Sequence, residues 1–278
     1  MRTVILNNGV EMPVLGIGTS MMEEEGCERM VREALDLGYR FIDTAQAYHN
    51  EGAVGRAVRQ SDVSRRDVFI STKLSVSNTT YEKAKEGCKR SLDRLGVDYI
   101  DLLTLQFPYN DVFGAWRALT ELREEGLVGA IGVCNFAADR LADLVIHDRE
   151  RPQVAQFERH PYRQRPDLMN YLRCQEIKGV ARGPFAQNKL GLLTESVLRE
   201  IAAANGKRVE QVLLRWQIQQ DVAVVVNAAS PEALEAYLDV FDFTLSDEEL
   251  AVIAALERDE SAVEYETTPA WVEKICRG

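Results

Sequence analysis

The sequence predicts an α/β chain folded as one (β/α)8 barrel, a TIM barrel, with an N-terminal β-hairpin. Three observations carry that prediction. Short apolar runs alternate with helix-patterned stretches along nearly the whole chain. Predicted strand ends at Gly18, Asp43, Lys73, Gln106, Val133, Glu158, Arg182 and Val226 follow one another at 25, 30, 33, 27, 25, 24 and 44 residues, the rhythm of a repeated βα unit. No Pro- or Ser-rich linker breaks the series, so residues 1–278 read as a single domain, and eight such units need about 250 residues. An open doubly wound sheet would want G-x-G-x-x-G after its first strand. Gly16-Ile17-Gly18-Thr19-Ser20-Met21 lacks the third glycine.

Taken in order, Thr3 to Leu6 reads as a strand entering a tight Asn8-Gly9 turn, with a second short strand beyond it. Glu23-Glu24-Glu25 opens a helix, its charges complementing the dipole. Arg40 to Asp43, Val68 to Thr72 and Tyr99 to Leu105 are buried-strand runs. Between the last two, Tyr81 to Leu95 is helical, with Ala84, Cys88, Leu92 and Leu95 on one stripe and Gly96 as the stop. The long final interval holds two helices, at about 194–205 and 209–219.

Composition narrows the function classes. With 46% hydrophobic residues the chain can build a large core, which excludes wholesale disorder. A net charge of −11 repels a phosphate backbone, so no nucleic-acid partner is expected. The longest apolar stretch, Gly126 to Cys134, falls far short of the roughly 18 residues of a membrane span, and Met1 to Leu6 reaches Asn7-Asn8 too early for a signal-peptide core. Five cysteines without a C-x-x-C pair read as reduced thiols. Three histidines without ligand spacing argue against a metal site. A cytoplasmic monomer acting on a small molecule is the expectation.

In a barrel, chemistry sits where the strands run out at the carboxyl face. That rule collects Asp43 and Tyr48, Lys73, Gln106, Cys134 and Asn135, Gln156, Glu158 and His160, Arg182 and Asn227. A lysine closing an apolar strand needs a partner, and Asp43 is the natural one. An ammonium beside a phenol favours the phenolate, which makes Tyr48 a proton donor or acceptor.

At this point the chain resembles a known family. Gly38 to Glu51 (GYRFIDTAQAYHNE) with Val54-Gly55 is similar to the signature of the aldo-keto reductases. The resemblance continues through Ser71-Thr72-Lys73-Leu74, Asp98 to Leu102, Ala130 to Phe136, Leu214-Arg215-Trp216 and Phe241-Asp242-Phe243. It implies a monomeric barrel that binds NADPH and reduces carbonyls, with Tyr48 as proton donor tuned by Lys73 and Asp43. Departures from the family pattern are as informative. Gln106, in Gln106-Phe107-Pro108, stands for the carbonyl-orienting histidine, and glutamine cannot carry a proton. Arg182 stands for the ring that stacks on nicotinamide. Asn227-Ala228 replaces the lysine and serine that hold the adenosine phosphate, Ala233 an arginine, and Tyr237 the amide that reads adenine. At about 1.5–3 kcal/mol per charge-assisted hydrogen bond, those losses cost orders of magnitude in affinity. Only the contacts to the nicotinamide carboxamide survive in part, as Asn135 and Gln156, with Cys134 where the family often has serine.

The leading expectation is therefore an enzyme without a cofactor, doing dehydration, isomerisation or cyclisation. Tyr48, Lys73 and Asp43 would move the proton, Gln106 would hold the substrate oxygen, and Arg182 would grip a carboxylate or planar substrate. The alternative is a carbonyl reductase with an atypical NADP or NAD site, outright NAD use being less attractive because the adenine and nicotinamide positions change along with the phosphate ones; a third reading is a binding barrel without catalysis. Simpler roles stand beside these. Arg182 pairs with Glu158, Gln106 is a packed core amide, Cys134 is a small packed hydrophobe, and His49 is a solvated loop residue. Tyr265 and Trp271, near the C-terminus, are further pocket candidates.

Overall fold

The structure, a computed structural model, describes residues 2–228, 230–263 and 268–277. It opens with β1 (Thr3–Ile5) and β2 (Glu11–Pro13), antiparallel with Thr3 opposite Pro13. Asn8-Gly9 turns the chain, Gly9 at φ 86°, but the connection runs from Leu6 to Val10 and is not a tight two-residue turn. The extra residues have work elsewhere. Leu6 is buried in the barrel floor, and Asn7 and Asn8 donate to the carbonyls of Pro152, Glu176 and Gly129.

The repeating units follow: β3 (Leu15–Gly18), α1 (Glu24–Asp36), β4 (Phe41–Asp43), α2 (Glu51–Gln60), β5 (Phe69–Leu74), α3 (Tyr81–Leu95), β6 (Ile100–Leu105) and α4 (Val112–Glu124). Next come β7 (Val128–Cys134), α5 (Ala138–His147), β8 (Val154–Glu158), α6 (Pro166–Cys174) and β9 (Lys178–Arg182). The remainder is α7 (Ser196–Ala204), α8 (Val209–Gln219), β10 (Ala223–Val226), α9 (Pro231–Leu238), α10 (Asp247–Ala254) and α11 (Pro269–Arg277). Eight strands, β3 to β10, close a barrel in the order β10-β3-β4-β5-β6-β7-β8-β9, every neighbouring pair parallel. Each predicted strand end lies within one residue of an observed one. The predicted stripe of α3 is buried, and Gly96 caps the helix in the left-handed region at φ 62°.

Strand side chains alternate between faces, and this period of two builds two layers. The outward set packs under the helices. The inward set begins at the floor with Phe41, Phe69, Leu102, Ala130, Val154, Val180 and Val225, plugged from below by Leu6 and Met12 of the hairpin. Phe41 meets Phe69 edge to face at 5.3 Å. A Cβ on Gly16 would lie 2.6 Å from the Phe41 ring, so only glycine lets β3 pass there. Counting upward by two from these floor residues reaches Asp43, Lys73, Gln106, Cys134, Gln156, Arg182 and Asn227. The alternation that fills the floor with apolar side chains aims this polar set into the barrel mouth.

All five cysteines are free. Among the described residues no helix is long and apolar enough to cross a membrane, and no group of three metal-ligating side chains converges.

Candidate active site

Lys73, 1% exposed, is the most deeply buried charge at the mouth. Its Nζ donates to Asp43 Oδ2 at 2.5 Å and to the Thr44 carbonyl at 2.9 Å. Burial alone would discharge it. Asp43, Tyr48 and the Cys134 thiol outweigh that and hold the ammonium above its ordinary range. Asp43 is shared across the barrel: its Oδ1 accepts from Gln156 Nε2 at 3.1 Å, from the opposite strand β8. The Gln156 oxygen accepts from the Cys134 thiol at 3.4 Å. Burial pushes that thiol up in pKa, so Cys134 is a packed donor, not a nucleophile.

Tyr48 lies on a single 3₁₀ turn, Gln46–Tyr48, directly after β4. Gln46 is the anchor. Its nitrogen donates to the Gly87 carbonyl and the Ser91 hydroxyl at 3.0 Å each, and its oxygen accepts from Ser75 N at 3.0 Å and Asn78 at 2.8 Å. His49, left-handed at φ 57° and exposed, ends the turn. The half-buried phenol ring then faces the Lys73 ammonium, 5.2 Å from Nζ to the ring centre. Sequence reasoning marked Asp43, Lys73 and Tyr48 as one unit, and the structure brings them together.

Gln106 follows β6 and is half-buried, so it is not a fully packed core amide. Its backbone carbonyl accepts from Asn135 Nδ2 at 2.9 Å, while its own carboxamide makes no hydrogen bond among the described residues. Beside it rises an aromatic wall that the sequence reading met only in part. Trp271 of α11 packs edge-on against Phe107 at 5.4 Å and Tyr109 at 6.1 Å. Phe107 and Tyr109 went unmarked because nothing local distinguishes a wall residue from a packed one. Tyr265 lies outside the described residues.

Arg182 does not hydrogen-bond Glu158. Its Nη2 and Nε donate to Asn135 Oδ1 at 2.7 and 3.2 Å, and Asn135, at φ 62°, leaves β7 in the left-handed region to meet it. Glu158 is engaged elsewhere. It accepts from His160 and Arg163, each at 3.2 Å, from the Ser261 hydroxyl at 2.5 Å and from Ala262 N at 2.8 Å. Burial alone would raise this carboxyl; the hydrogen bonds from His160, Ser261 and Ala262 win and bring it down to about 2. Asn227 is exposed and donates to the Ser20 carbonyl at 2.8 Å, tying the exit of β10 to that of β3. Tyr237 is buried against Phe185, ring centres 5.4 Å apart, so it faces the core and not a ligand.

The donor set suits one end of a nicotinamide dinucleotide and not the other. Asn135 and Gln156 present two carboxamides on adjoining strand ends, each able to exchange hydrogen bonds with a ring carboxamide. A barrel holds phosphates at the loops after its seventh and eighth strands and at a nearby helix N-terminus, here the region entering α9. From 226 to 238 there is no lysine or arginine, only Glu232 and Glu235 among charged residues. The Ser230 hydroxyl already caps Ala233 N. Residues 226–238 thus offer no cation to an additional 2′-phosphate, while the loop after β9 carries the exposed Lys189.

The model of the aldo/keto reductase family matches residues 14–258. An aldo-keto reductase of Mycobacterium sp. (strain MCS) is 37% identical over 92% of this chain and 90% of its own. The morphine 6-dehydrogenase of Pseudomonas putida is 38% identical over 91% of this chain and 90% of its own. Among solved structures, an aldo-keto reductase from a Medee basin deep-sea metagenome library superposes with a TM-score of 0.92 at 35% identity, covering 95% of this chain and 99% of that one. The aldo-keto reductase of Bombyx mori, solved in complex with NADP, gives 0.89 at 27% identity and 95% coverage of both chains.

Proposed function

The chain belongs to the aldo/keto reductase family, and from that premise we propose that it is an oxidoreductase interconverting a carbonyl and an alcohol on a small molecule, with NADH preferred to NADPH. The observation that carries the reading is the buried Asp43–Lys73 pair set under the Tyr48 ring at the barrel mouth. Tyr48 passes its proton to the substrate oxygen in reduction and takes it back in oxidation, while the Lys73 ammonium stabilises the phenolate left behind. Asp43 keeps Lys73 charged and in place. Gln106 donates an amide N–H to the same oxygen but carries no proton, so Tyr48 is the sole acid. Phe107, Tyr109 and Trp271 shield that side from water. When bound, the reduced dinucleotide supplies the hydride; Asn135 and Gln156 would hold its carboxamide.

The named relatives are reductases and a dehydrogenase, which favours oxidoreduction over the cofactor-independent dehydration, isomerisation or cyclisation that the altered clamp suggested from sequence. An assembled acid–base trio also speaks against a purely binding barrel. The preference for NADH rests on the absence of lysine and arginine from 226 to 238. The test is a titration of the purified protein with NADH and with NADPH, followed by tryptophan quenching and calorimetry. Micromolar NADH with NADPH at least about tenfold weaker is expected, since the segment entering α9 gives the 2′-phosphate no cation. Equal or tighter NADPH would sink the preference. No binding of either up to millimolar would return the site to cofactor-free proton chemistry.

A further inference from the structure

The geometry points to a second binding site, for a multivalent phosphoryl anion, on the amino-end face of the barrel opposite the active site. An open groove of about 540 Å³ there is lined by Arg123, Arg149 and Arg151. Such a concentration of guanidinium stands out on a chain of net charge −11. Two acids share that lining: Glu176, which is exposed, and Glu150, which is engaged twice, its Oε2 accepting from Arg123 at 3.0 Å and its Oε1 from Gln153 at 2.9 Å. Arg149 and Arg151 are exposed and make no hydrogen bond or ion pair among the described residues. Arg123 Nε is enclosed and has no acceptor.

The loop that presents these side chains is rigidly built. Trp116 Nε1 donates to the Glu150 carbonyl at 3.0 Å, and Glu150 N to Asp148 Oδ1 at 3.0 Å. Gln153, 2% exposed, accepts from Ile131 N at 2.9 Å and donates to the Arg151 carbonyl at 2.7 Å. Asn7 of the hairpin donates to the Pro152 carbonyl at 3.1 Å. Two guanidinium groups outside any ion pair stand on a pinned loop beside a third that is paired with Glu150, so the backbone is already ordered in the empty fold and only the two exposed side chains must settle on a ligand. Planar forked donors match tetrahedral phosphoryl oxygens. Arg149 and Arg151, the two outside any ion pair, call for a ligand of charge −2 or more. Binding only the folded chain, such a ligand raises its stability in a saturable way.

The probe is inorganic pyrophosphate, with citrate as the carboxylate arm and sodium chloride at matched ionic strength as the control for general salt effects. The wild-type chain and an Arg149→Gln/Arg151→Gln variant are compared by calorimetry and thermal unfolding. Both side chains are exposed and unpartnered, so the variant should fold, which circular dichroism checks. Saturable binding of pyrophosphate by wild type, at least about tenfold weaker in the variant, with equal responses to sodium chloride, supports the site. Equal pyrophosphate responses in the two chains, or none at millimolar concentration, would overturn it. Citrate binding as tightly as pyrophosphate would overturn the phosphoryl assignment.

Discussion

At the scale of single residues, the site turns on a charge kept in the core. Lys73 has traded water for Asp43, Thr44 and the Tyr48 ring, and each contact is what keeps an ammonium at 1% exposure. Tyr48 is the residue whose chemistry nothing nearby can replace, because Gln106 and Gln156 are amides and Cys134 remains a thiol. Tyr48→Phe should therefore lower kcat by at least about 10²–10⁴-fold. Dinucleotide affinity should change less than about threefold, as Asn135 and Gln156, the carboxamides proposed to hold it, lie at the ends of other strands. Steady-state kinetics beside a fluorescence titration measure the two separately, and retained turnover would remove Tyr48 from the proton path.

At the scale of elements, helix α2 delivers the turn that carries Tyr48, and its seat against α3 depends on one missing side chain. A Cβ on Gly55 would lie 1.9 Å from the Leu95 carbonyl oxygen, closer than any contact the backbone tolerates. Glycine here serves close approach, since a helical φ makes no demand for it. Gly55→Ala should push the two helices apart and destabilise the fold by about 1–3 kcal/mol, despite alanine's better helix propensity. Urea unfolding followed by circular dichroism reads that loss; an unchanged midpoint would show that α2 shifts without cost. The elements were largely legible beforehand because they rest on local pattern. Tyr81 to Leu95 shows its buried stripe and its glycine stop in the chain itself. Helix α11 was not legible as an element: it is short, and what it packs against, Phe107 and Tyr109, lies more than half the chain away.

At the scale of the whole molecule, Glu158 fastens the chain end to the barrel. Ser261 and Ala262 both donate to it from beyond α10, as His160 and Arg163 do from the loop after β8. A carboxyl lowered from 4.5 to about 2 contributes stability that is complete above pH 4.5 and is lost as the pH falls through 2. The shift is worth about 3 kcal/mol at neutral pH. Acid titration of the unfolding free energy should show this slope in wild type, and Glu158→Gln should flatten it. An identical acid slope in the variant would place the sensitivity in other carboxyls.

The sequence by itself determined the eight strand ends, the polar set at the carboxyl face and the association of Asp43, Lys73 and Tyr48, because each follows from the βα rhythm and from places at the ends of consecutive strands. Partner choice was decided only by the tertiary structure. Arg182 bonds Asn135, 47 residues away, and leaves Glu158 to the C-terminal segment. Gln156 reaches Asp43 across 113 residues. Asn227 ties two strand exits, and three arginines gather at the floor. Hydrogen-bond partners of this kind are set by barrel closure, which lets side chains from distant strands meet across the mouth, as Gln156 and Asp43 do at 3.1 Å; no local pattern in the chain encodes which of several available acceptors a donor will meet.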